Sequence, residues 1–454
     1  MQFENKNILV IGLARSGVAA VRALHEMNAK VTVTDIKSED SLKSLADEIR
    51  PFVVELILGE HPDLSGTYDL VVISPGIPLD IPFVKQIEAN KIPIIGELEL
   101  AYLLTDAKFV GITGTNGKTT TTALTGEMFK NSGKKHFIVG NIGLAAVSKA
   151  LEADEETVFV TEISSFQLET IVDFHCHIAA ILNLTPDHLN RHKTMEKYTE
   201  AKARIFENQT EKDWLVLNLD DPLTRALADK AKSRIAFFSL NQKPDEGAFI
   251  EDGWIKTRLD GKVTPYCKVE EMLIFGRHNE ENALAAVLIA TLSGLEPQVI
   301  IDTLKTFKGV EHRIEYVDTI NDRKFYNDSK ATNPDSTICA INAMNTQTHL
   351  IAGGQFKGSD YSSIFEVFND KIKTLILLGE TKYTIEETAH KFNFTNTVIV
   401  NTMEEAVEAA FRNSLPGDAI LLSPACASWD MYADFEKRGE HFKACVKALK
   451  VDRG

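Results

Sequence analysis

Gly111-Ile112-Thr113-Gly114-Thr115-Asn116-Gly117-Lys118-Thr119-Thr120 is the stretch on which the reading of this chain turns. The apolar run Phe109–Ile112 leads into it and a helical pattern leaves it, the strand–loop–helix setting of a phosphate-binding loop. Glycines at 111, 114 and 117 let backbone N–H groups turn inward on phosphates. Lys118 is placed to neutralise β- and γ-oxygens and the Thr119 hydroxyl to ligate Mg²⁺, while the helix N-terminus adds positive potential. A strict Walker spacing would put a glycine where Ile112 stands. The bland alternative is a Gly/Thr-rich turn with an exposed lysine, and the flanking strand and helix weigh against it.

Working outward, Asn7–Ile11 reads as a strand, followed by the turn Gly12-Leu13-Ala14-Arg15-Ser16-Gly17, a helix to about Met27 and a second strand, Lys30–Thr34. This βαβ opening resembles a dinucleotide turn, but Ala14 replaces the middle glycine, and Asp35 ends the second strand where an acidic residue often meets a ribose. A nicotinamide site, a site for another nucleotide and a bare structural turn all remain open from this motif. Buried-type strands follow at Leu70–Ile73, Phe109–Ile112, Val158–Thr161, Ile178–Leu182 and Trp214–Asn218. A further series comprises His349–Ala352, Thr374–Leu378, Thr397–Val400 and Ala419–Leu422. Apolar strands separated by helical stretches predict an α/β protein with parallel sheets covered on both faces. Length suggests about three domains, and we divide the chain at 1–105, 106–308 and 309–454. Asp245–Pro265 has strand-like composition and turn residues but no clear place.

The chain has 454 residues, 44% of them hydrophobic and 25% charged, as in ordinary globular proteins. Lys plus Arg number 49 against 65 Asp plus Glu, a net charge of −16. Such a surface has no global field for nucleic acid or an anionic membrane, so a polyanionic ligand must be gripped locally. Cys176, Cys267, Cys339, Cys426 and Cys445 are scattered, which favours free thiols in a reducing compartment. The short apolar run Ile8–Ala14 ends at Arg15 and reads as no secretory signal, and nothing approaches a membrane span. We expect a cytoplasmic protein and a monomer.

Glu162 ends one apolar strand, and His188 follows another within Asn183-Leu184-Thr185-Pro186-Asp187-His188. Both fall past the carboxyl ends of parallel strands, where open α/β sheets bind ligands, and with Thr119 they could hold Mg²⁺. In the helix at about Met195–Asn208, Tyr198, Ala201, Lys202 and Ile205 share one face, so Lys202 sits on the apolar stripe. It either snorkels from the stripe edge or is chemically altered or paired at the site.

Thr113–Thr119, Glu162-Ile163-Ser164-Ser165-Phe166-Gln167-Leu168-Glu169 and Thr185-Pro186-Asp187-His188 resemble the Mur ligases of peptidoglycan synthesis, and Gly276-Arg277-His278-Asn279 and His312-Arg313 continue the match. Asn327-Asp328-Ser329-Lys330-Ala331-Thr332-Asn333 and Ser423-Pro424-Ala425-Cys426-Ala427-Ser428-Trp429-Asp430 look like the member type that adds D-glutamate. The likeness runs from Gly12 to Gly439, nearly the whole chain.

The resemblance implies three α/β domains: a Rossmann-like N-terminal one for a uridine nucleotide, a central P-loop ATPase with a mostly parallel sheet and a Rossmann-like C-terminal one for an amino acid. It implies ATP-dependent joining of D-glutamate to UDP-N-acetylmuramoyl-L-alanine through an acyl phosphate. Arg15, Ser16, Asp35, Ser74 and Gly76 would contact the uridine diphosphate, with Asn141 and His188 near the muramoyl-alanine end. Gly114, Thr115, Asn116, Gly117, Lys118, Thr119, Thr120, Asn279, Asn282, Arg313 and Asp328 would serve ATP. Thr119, Glu162, His188 and a carbamylated Lys202 would organise Mg²⁺, with Lys118, Glu162, His188 and Lys202 catalytic. Lys330, Thr332, Ser428 and Phe435 would cradle D-glutamate. The chain departs from the pattern at Ile36-Lys37, where threonine then arginine is expected, and at Trp429, which replaces a smaller aliphatic residue. Competing readings are a folylpolyglutamate synthetase, a nicotinamide oxidoreductase and a nucleotide-binding switch. The motifs at 327–333 and 423–430 argue against the first, the phosphate loop against the second, and Lys330 and Ser428 against the third.

Overall fold

The apolar runs become inner strands of parallel sheets. The computed structural model describes residues 3–64, 68–356, 358, 360–368 and 370–453. One unit is the chain up to Met272 with Glu281–Lys305, and the other is Leu273–Glu280 with the chain from Thr306 onward. In the first unit, β1 (Asn7–Ile11), β2 (Lys30–Asp35), β3 (Glu55–Leu58), β4 (Leu70–Ile73) and β5 (Ile94–Gly96) form a parallel sheet ordered β3-β2-β1-β4-β5. The order reverses at β1, so the turn after β1 opens at a topological switch point.

The second sheet of this unit comprises β6 (Lys108–Thr113), β7 (His136–Gly140), β8 (Val158–Glu162), β9 (Ile178–Ile181), β10 (Trp214–Asn218), β11 (Arg234–Ser239), β12 (Gly247–Glu251), β13 (Trp254–Leu259) and β14 (Lys262–Lys268). Its order is β14-β13-β12-β11-β10-β9-β6-β8-β7. Strand β6 lies between β8 and β9, so the loops after these three strands share one carboxyl edge. Five of its residues, Phe109–Thr113, are buried, which is why the segment reads as a continuous apolar run. Phe109 meets Phe159 and Phe174 edge-on, with ring centroids 5.0 and 5.1 Å apart. Each such pair adds about 1 kcal/mol beyond the area it buries, anchoring the strand that carries the phosphate loop.

The stretch Asp245–Pro265, which the sequence left without a clear place, is the antiparallel edge of this mostly parallel sheet. Asp252-Gly253 and Asp260-Gly261 have φ of 52°, 75°, 48° and 73°, the left-handed pairs of two-residue hairpin turns. The Asp-Gly pairs were the sequence signal for this ribbon.

In the second unit, β15 (Glu315–Ile320), β16 (Arg323–Asn327), β17 (Thr348–Ala352), β18 (Ile372–Leu377), β19 (Thr397–Ile399) and β20 (Ala419–Leu422) are ordered β15-β16-β20-β17-β18-β19. Among these described strands only the β15–β16 pair is antiparallel. The neighbouring strands β16 and β20 run directly into the motifs 327–333 and 423–430, which brings these distant segments together. No helix of the described residues is long and apolar enough to cross a membrane.

Candidate active site

The phosphate loop leaves β6 and enters the helix Lys118–Asn131, whose N-cap Gly117 is left-handed at φ +83°. A Cβ on Gly117 would stand 2.2 Å from Asn282 Oδ1, so the glycine is required by both conformation and space. Gly111 has a different role from the one its place in the motif suggested. It belongs to β6, and a Cβ there would meet Cys176 Sγ at 2.6 Å; it serves close packing beneath the loop. Asn116 N–H donates to Asn183 Oδ1 at 2.7 Å and Asn183 Nδ2 donates back to Asn116 O at 3.1 Å, tying the loop to the segment after β9. Thr115 Oγ1 donates to Thr185 O at 3.1 Å and lies 3.1 Å from the Tyr198 hydroxyl. Lys118 Nζ donates to Gly114 O and Thr115 O at 2.8 and 2.7 Å, so its charge lies over the loop. Thr119 and Thr120 are buried in the first helical turn, and Thr121 Oγ1 donates to Asn282 Oδ1 at 3.3 Å.

Lys202 does not snorkel. The helix Met195–Ala203, capped by Thr194, buries Tyr198, Ala201 and Lys202, and Ile205 follows in a buried 3₁₀ turn. Lys202 is 2% exposed, and its Nζ donates to Gly114 O at 2.8 Å and Thr113 Oγ1 at 3.3 Å. Burial, then the Lys118 charge, holds its ammonium well below the usual lysine range. Glu162, the last residue of β8, is 1% exposed. Its Oε1 accepts from Asn141 Nδ2 at 2.8 Å, while its buried Oε2 has no hydrogen-bond partner among the described residues. An orphaned carboxylate oxygen at the mouth of a phosphate loop fits an oxygen-seeking cation such as Mg²⁺. His188 is half exposed in left-handed backbone at φ 52°, against the Phe166 ring at 4.8 Å. Burial lowers its pKa, Asp187 opposes that, and Lys202 and Lys118 reinforce it, so neutral imidazole is favoured.

The N-terminal turn reaches the same region. Gly12 has φ +94°, and a Cβ on Gly17 would lie 2.0 Å from Gly12 O, the tight contact that the third glycine permits. Arg15 Nη1 donates to Gly143 O at 3.0 Å and Nη2 to Asn141 O at 3.0 Å. Ser16 follows in the same helix start, and Ser74 Oγ donates to Gly12 O at 3.0 Å. The Asp35 carboxylate accepts from Leu13 N–H at 2.8 Å and Lys37 N–H at 2.9 Å, so much of its work is holding the turn. A cavity of about 610 Å³ is lined by Gly76, Phe166, Glu169, His188 and Arg191 among others. Arg191, which sequence reasoning missed, pairs with Glu169, lies 4.2 Å from the Phe166 ring centre and donates to Pro75 O at 3.0 Å.

The second unit gathers the remaining motifs. Asp328 is buried; its Oδ2 accepts from Ser423 Oγ at 2.7 Å and its Oδ1 from Ile314 N–H at 3.2 Å. Burial pushes its carboxyl up to about 7, opposed by Arg313. Asn279 Nδ2 donates to Phe275 O at 2.9 Å. Lys330 Nζ lies 5.6 Å from the Phe435 ring centre, Ser428 is buried and Thr332 half-buried. His312, Ile314 and Ala425 hold φ of 64°, 46° and 59°, costly for side chains with a Cβ and most so for branched Ile314. Arg438, also missed from sequence, is 3% exposed. It donates to Ser329 Oγ and O at 3.0 and 2.8 Å and to Cys426 and Ala427 carbonyls at 3.1 and 3.2 Å, fastening the two motifs together. A lone arginine in a helix carries no sequence signal for such a contact.

These features define an α/β protein with a phosphate loop, an orphaned carboxylate beside it and a loop pair built around a buried aspartate. The chain belongs to the Mur ligase family. Residues 6–96 match the family model described as the MurD-like N-terminal domain, 112–290 the Mur ligase middle domain, and 312–426 the glutamate ligase domain. It is 50% identical over 453 residues to the UDP-N-acetylmuramoylalanine–D-glutamate ligase of Alkaliphilus oremlandii, covering 99% of this chain and 100% of that one. It is 46% identical over 452 residues to that of Clostridioides difficile, with the same coverage. Among solved structures, UDP-N-acetylmuramate–alanine ligase from Thermotoga maritima superposes with a TM-score of 0.62 at 18% identity, covering 98% of this chain and 100% of that one. FolC from E. coli superposes at 0.57 with 14% identity, covering 79% of this chain and 93% of that one. At these identities the superpositions show the fold alone.

Proposed function

We propose that this chain is the ATP-dependent ligase that adds D-glutamate to UDP-N-acetylmuramoyl-L-alanine in peptidoglycan precursor synthesis. Full-length identity of 50% to a ligase of that name carries the reading. We place it in the cytoplasm as a monomer, working as three parts at 1–105, 106–308 and 309–454. The Arg15–Ser16 turn, Asp35, Ser74, Gly76 and Asn141 hold the uridine-linked substrate. The loop Gly114–Thr120 with Asn282 holds the ATP phosphates, and Asn279, Arg313 and Asp328 the rest of the nucleotide. Lys330, Thr332, Ser428 and Phe435 take D-glutamate.

In the first step a substrate carboxylate oxygen bonds to the γ-phosphorus and the bond to the ADP oxygen breaks, giving an acyl phosphate and ADP. Lys118 spreads the charge that develops on the phosphoryl oxygens. The D-glutamate amine then bonds to the acyl carbon, the C–O bond to phosphate breaks and the amine loses a proton. Mg²⁺, held by Thr119, Glu162, His188 and Lys202, would supply electrostatic stabilisation of the transferring phosphoryl group. Lys202 reacts as the neutral amine that its burial favours: Nζ bonds to the carbon of carbon dioxide and loses a proton, giving a carbamate. That turns a buried cation into an anionic oxygen ligand. Phosphate release is the test. It should require ATP, the uridine-linked acceptor and D-glutamate together; an equal rate with the acceptor omitted would exclude the ligase.

A further inference from the structure

The helices Met403–Asn413 and Phe435–Arg453 pack against each other in the second unit, and neither Glu404, His441 nor Cys445 on them has a part in the proposed ligase chemistry. His441 and Cys445 are four residues apart on one helix and so share a face. Glu404 lies opposite, in the first turn of the other helix. One ligand atom from each of the three lies within 4.8 Å of the others. His441 Nε2 and Glu404 Oε1 are 2.8 Å apart, and His441 Nδ1 lies 2.9 Å from the Tyr432 hydroxyl.

We propose that Glu404, His441 and Cys445 form a binding site for a borderline divalent transition metal of the zinc class, separate from the Mg²⁺ used at the phosphate loop. The donor set is the reason for the class. A thiolate, an imidazole and a carboxylate suit zinc, whereas Mg²⁺ and Ca²⁺ select oxygen alone. Tyr432 supplies the outer support such a site needs. Across 2.8 Å the Glu404 carboxylate can only accept, so Nε2 carries the proton in that contact; a metal at Nε2 displaces it, and the tautomer in which Nδ1–H donates to the Tyr432 hydroxyl then holds the ring in place. Three protein ligands leave a fourth position for water on the solvent side, where Glu404 is exposed.

A second cluster of similar composition sets the contrast. Glu311, His312 and Glu315 also converge, but Lys443 pairs with both carboxylates and already provides their cation. Among the described residues Glu404 has no ion pair with lysine or arginine; its partner is His441. The site also lies close to a part of the fold that matters. His441 follows Arg438, the residue fastening 327–333 to 423–430, by three positions on the same helix. A metal joining this helix to Met403–Asn413 braces the segment from which Arg438 reaches.

Cobalt titration of the full chain, stripped by chelator, tests the site. Co²⁺ should produce a thiolate-to-cobalt charge-transfer band with tetrahedral-type visible bands, saturating at one equivalent and bleached by one equivalent of Zn²⁺. Cobalt at the oxygen-rich Mg²⁺ site gives no thiolate band, so the two sites are read separately. Cys445→Ser should abolish the band, and Cys339→Ser, at an exposed cysteine elsewhere, should keep it. Tyr432→Phe should keep it while weakening zinc binding by about 10-fold. Circular dichroism verifies folding of Cys445→Ser; should it misfold, loss of zinc binding in the partly exposed His441→Gln variant decides instead. Absence of a charge-transfer band in the wild type, a band persisting in folded Cys445→Ser, or unchanged zinc affinity in His441→Gln overturns the proposal.

Discussion

Replacing Lys118 by alanine separates the phosphate loop's chemistry from its architecture. The ammonium makes two hydrogen bonds to the loop carbonyls of Gly114 and Thr115, at 2.8 and 2.7 Å. These bonds are partly exposed, so their loss costs about 1 kcal/mol each at most: Gly114 O keeps its bond from Lys202 Nζ, and Thr115 O can turn to water. For a unit of roughly 300 residues the two together lower Tm by at most about 3 °C. The tie between Asn116 and Asn183 and the steric seat of Gly117 against Asn282 do not involve Lys118, so the loop should persist. Catalysis loses much more. A preorganised charge at a developing phosphoryl transition state contributes on the order of 3 kcal/mol, which at 1.36 kcal/mol per decade is about 150-fold in kcat. The assay is coupled ADP release at saturating substrates, with circular dichroism and thermal unfolding on the same preparation. A folded Lys118→Ala enzyme forming ADP within about tenfold of wild type would remove this loop from the mechanism.

Lys202→Arg keeps the positive charge but cannot form a carbamate, so it should fold, bind nucleotide, turn over poorly and recover partly with small carboxylates. Carbon-13 NMR under labelled bicarbonate should show a carbamate signal only in the wild type; no signal, with wild-type turnover by the variant, would refute it. D-Glutamate should be strongly preferred over L-glutamate and D-alanine in phosphate release, because a site built to pair two carboxylates rejects analogues that leave its donors unmatched; equal rates with L-glutamate would sink the assignment. Glu97 is buried and accepts from Val147 N–H at 2.7 Å, and desolvation raises its carboxyl from 4.5 to about 7. The folded state then holds a proton that the unfolded state releases, so wild-type stability should fall relative to Glu97→Gln as pH rises from about 4.5 to about 7, by about 3 kcal/mol in all. Urea unfolding of both proteins at pH 5 and pH 8 measures this difference, and parallel pH profiles would contradict it.

Much of the candidate site could be read from the linear order because its chemistry is local. The spacing of Gly114, Gly117 and Lys118 after an apolar strand dictates a turn whose amides face inward, whatever the rest of the chain does. The stripe of Tyr198, Ala201, Lys202 and Ile205 likewise marked Lys202 as inward-facing, since helical period alone decides which residues share a face. The full-length resemblance reached further, to residues such as Asp328 and Ser428 that no local pattern connects. Tertiary structure decided the rest. Strand order placed Glu162, the phosphate loop and His188 at one edge, and burial left Glu162 Oε2 without a partner. Which glycine turns and which merely yields space was also a matter of packing, as Gly111 against Cys176 shows. Arg191 and Arg438 stayed hidden because, beside Glu169 and the Ser329 hydroxyl, their guanidinium partners are backbone carbonyls of other loops. Backbone carbonyls are the same in every residue, so a contact made to them leaves no trace in the sequence and exists only once the chain is folded.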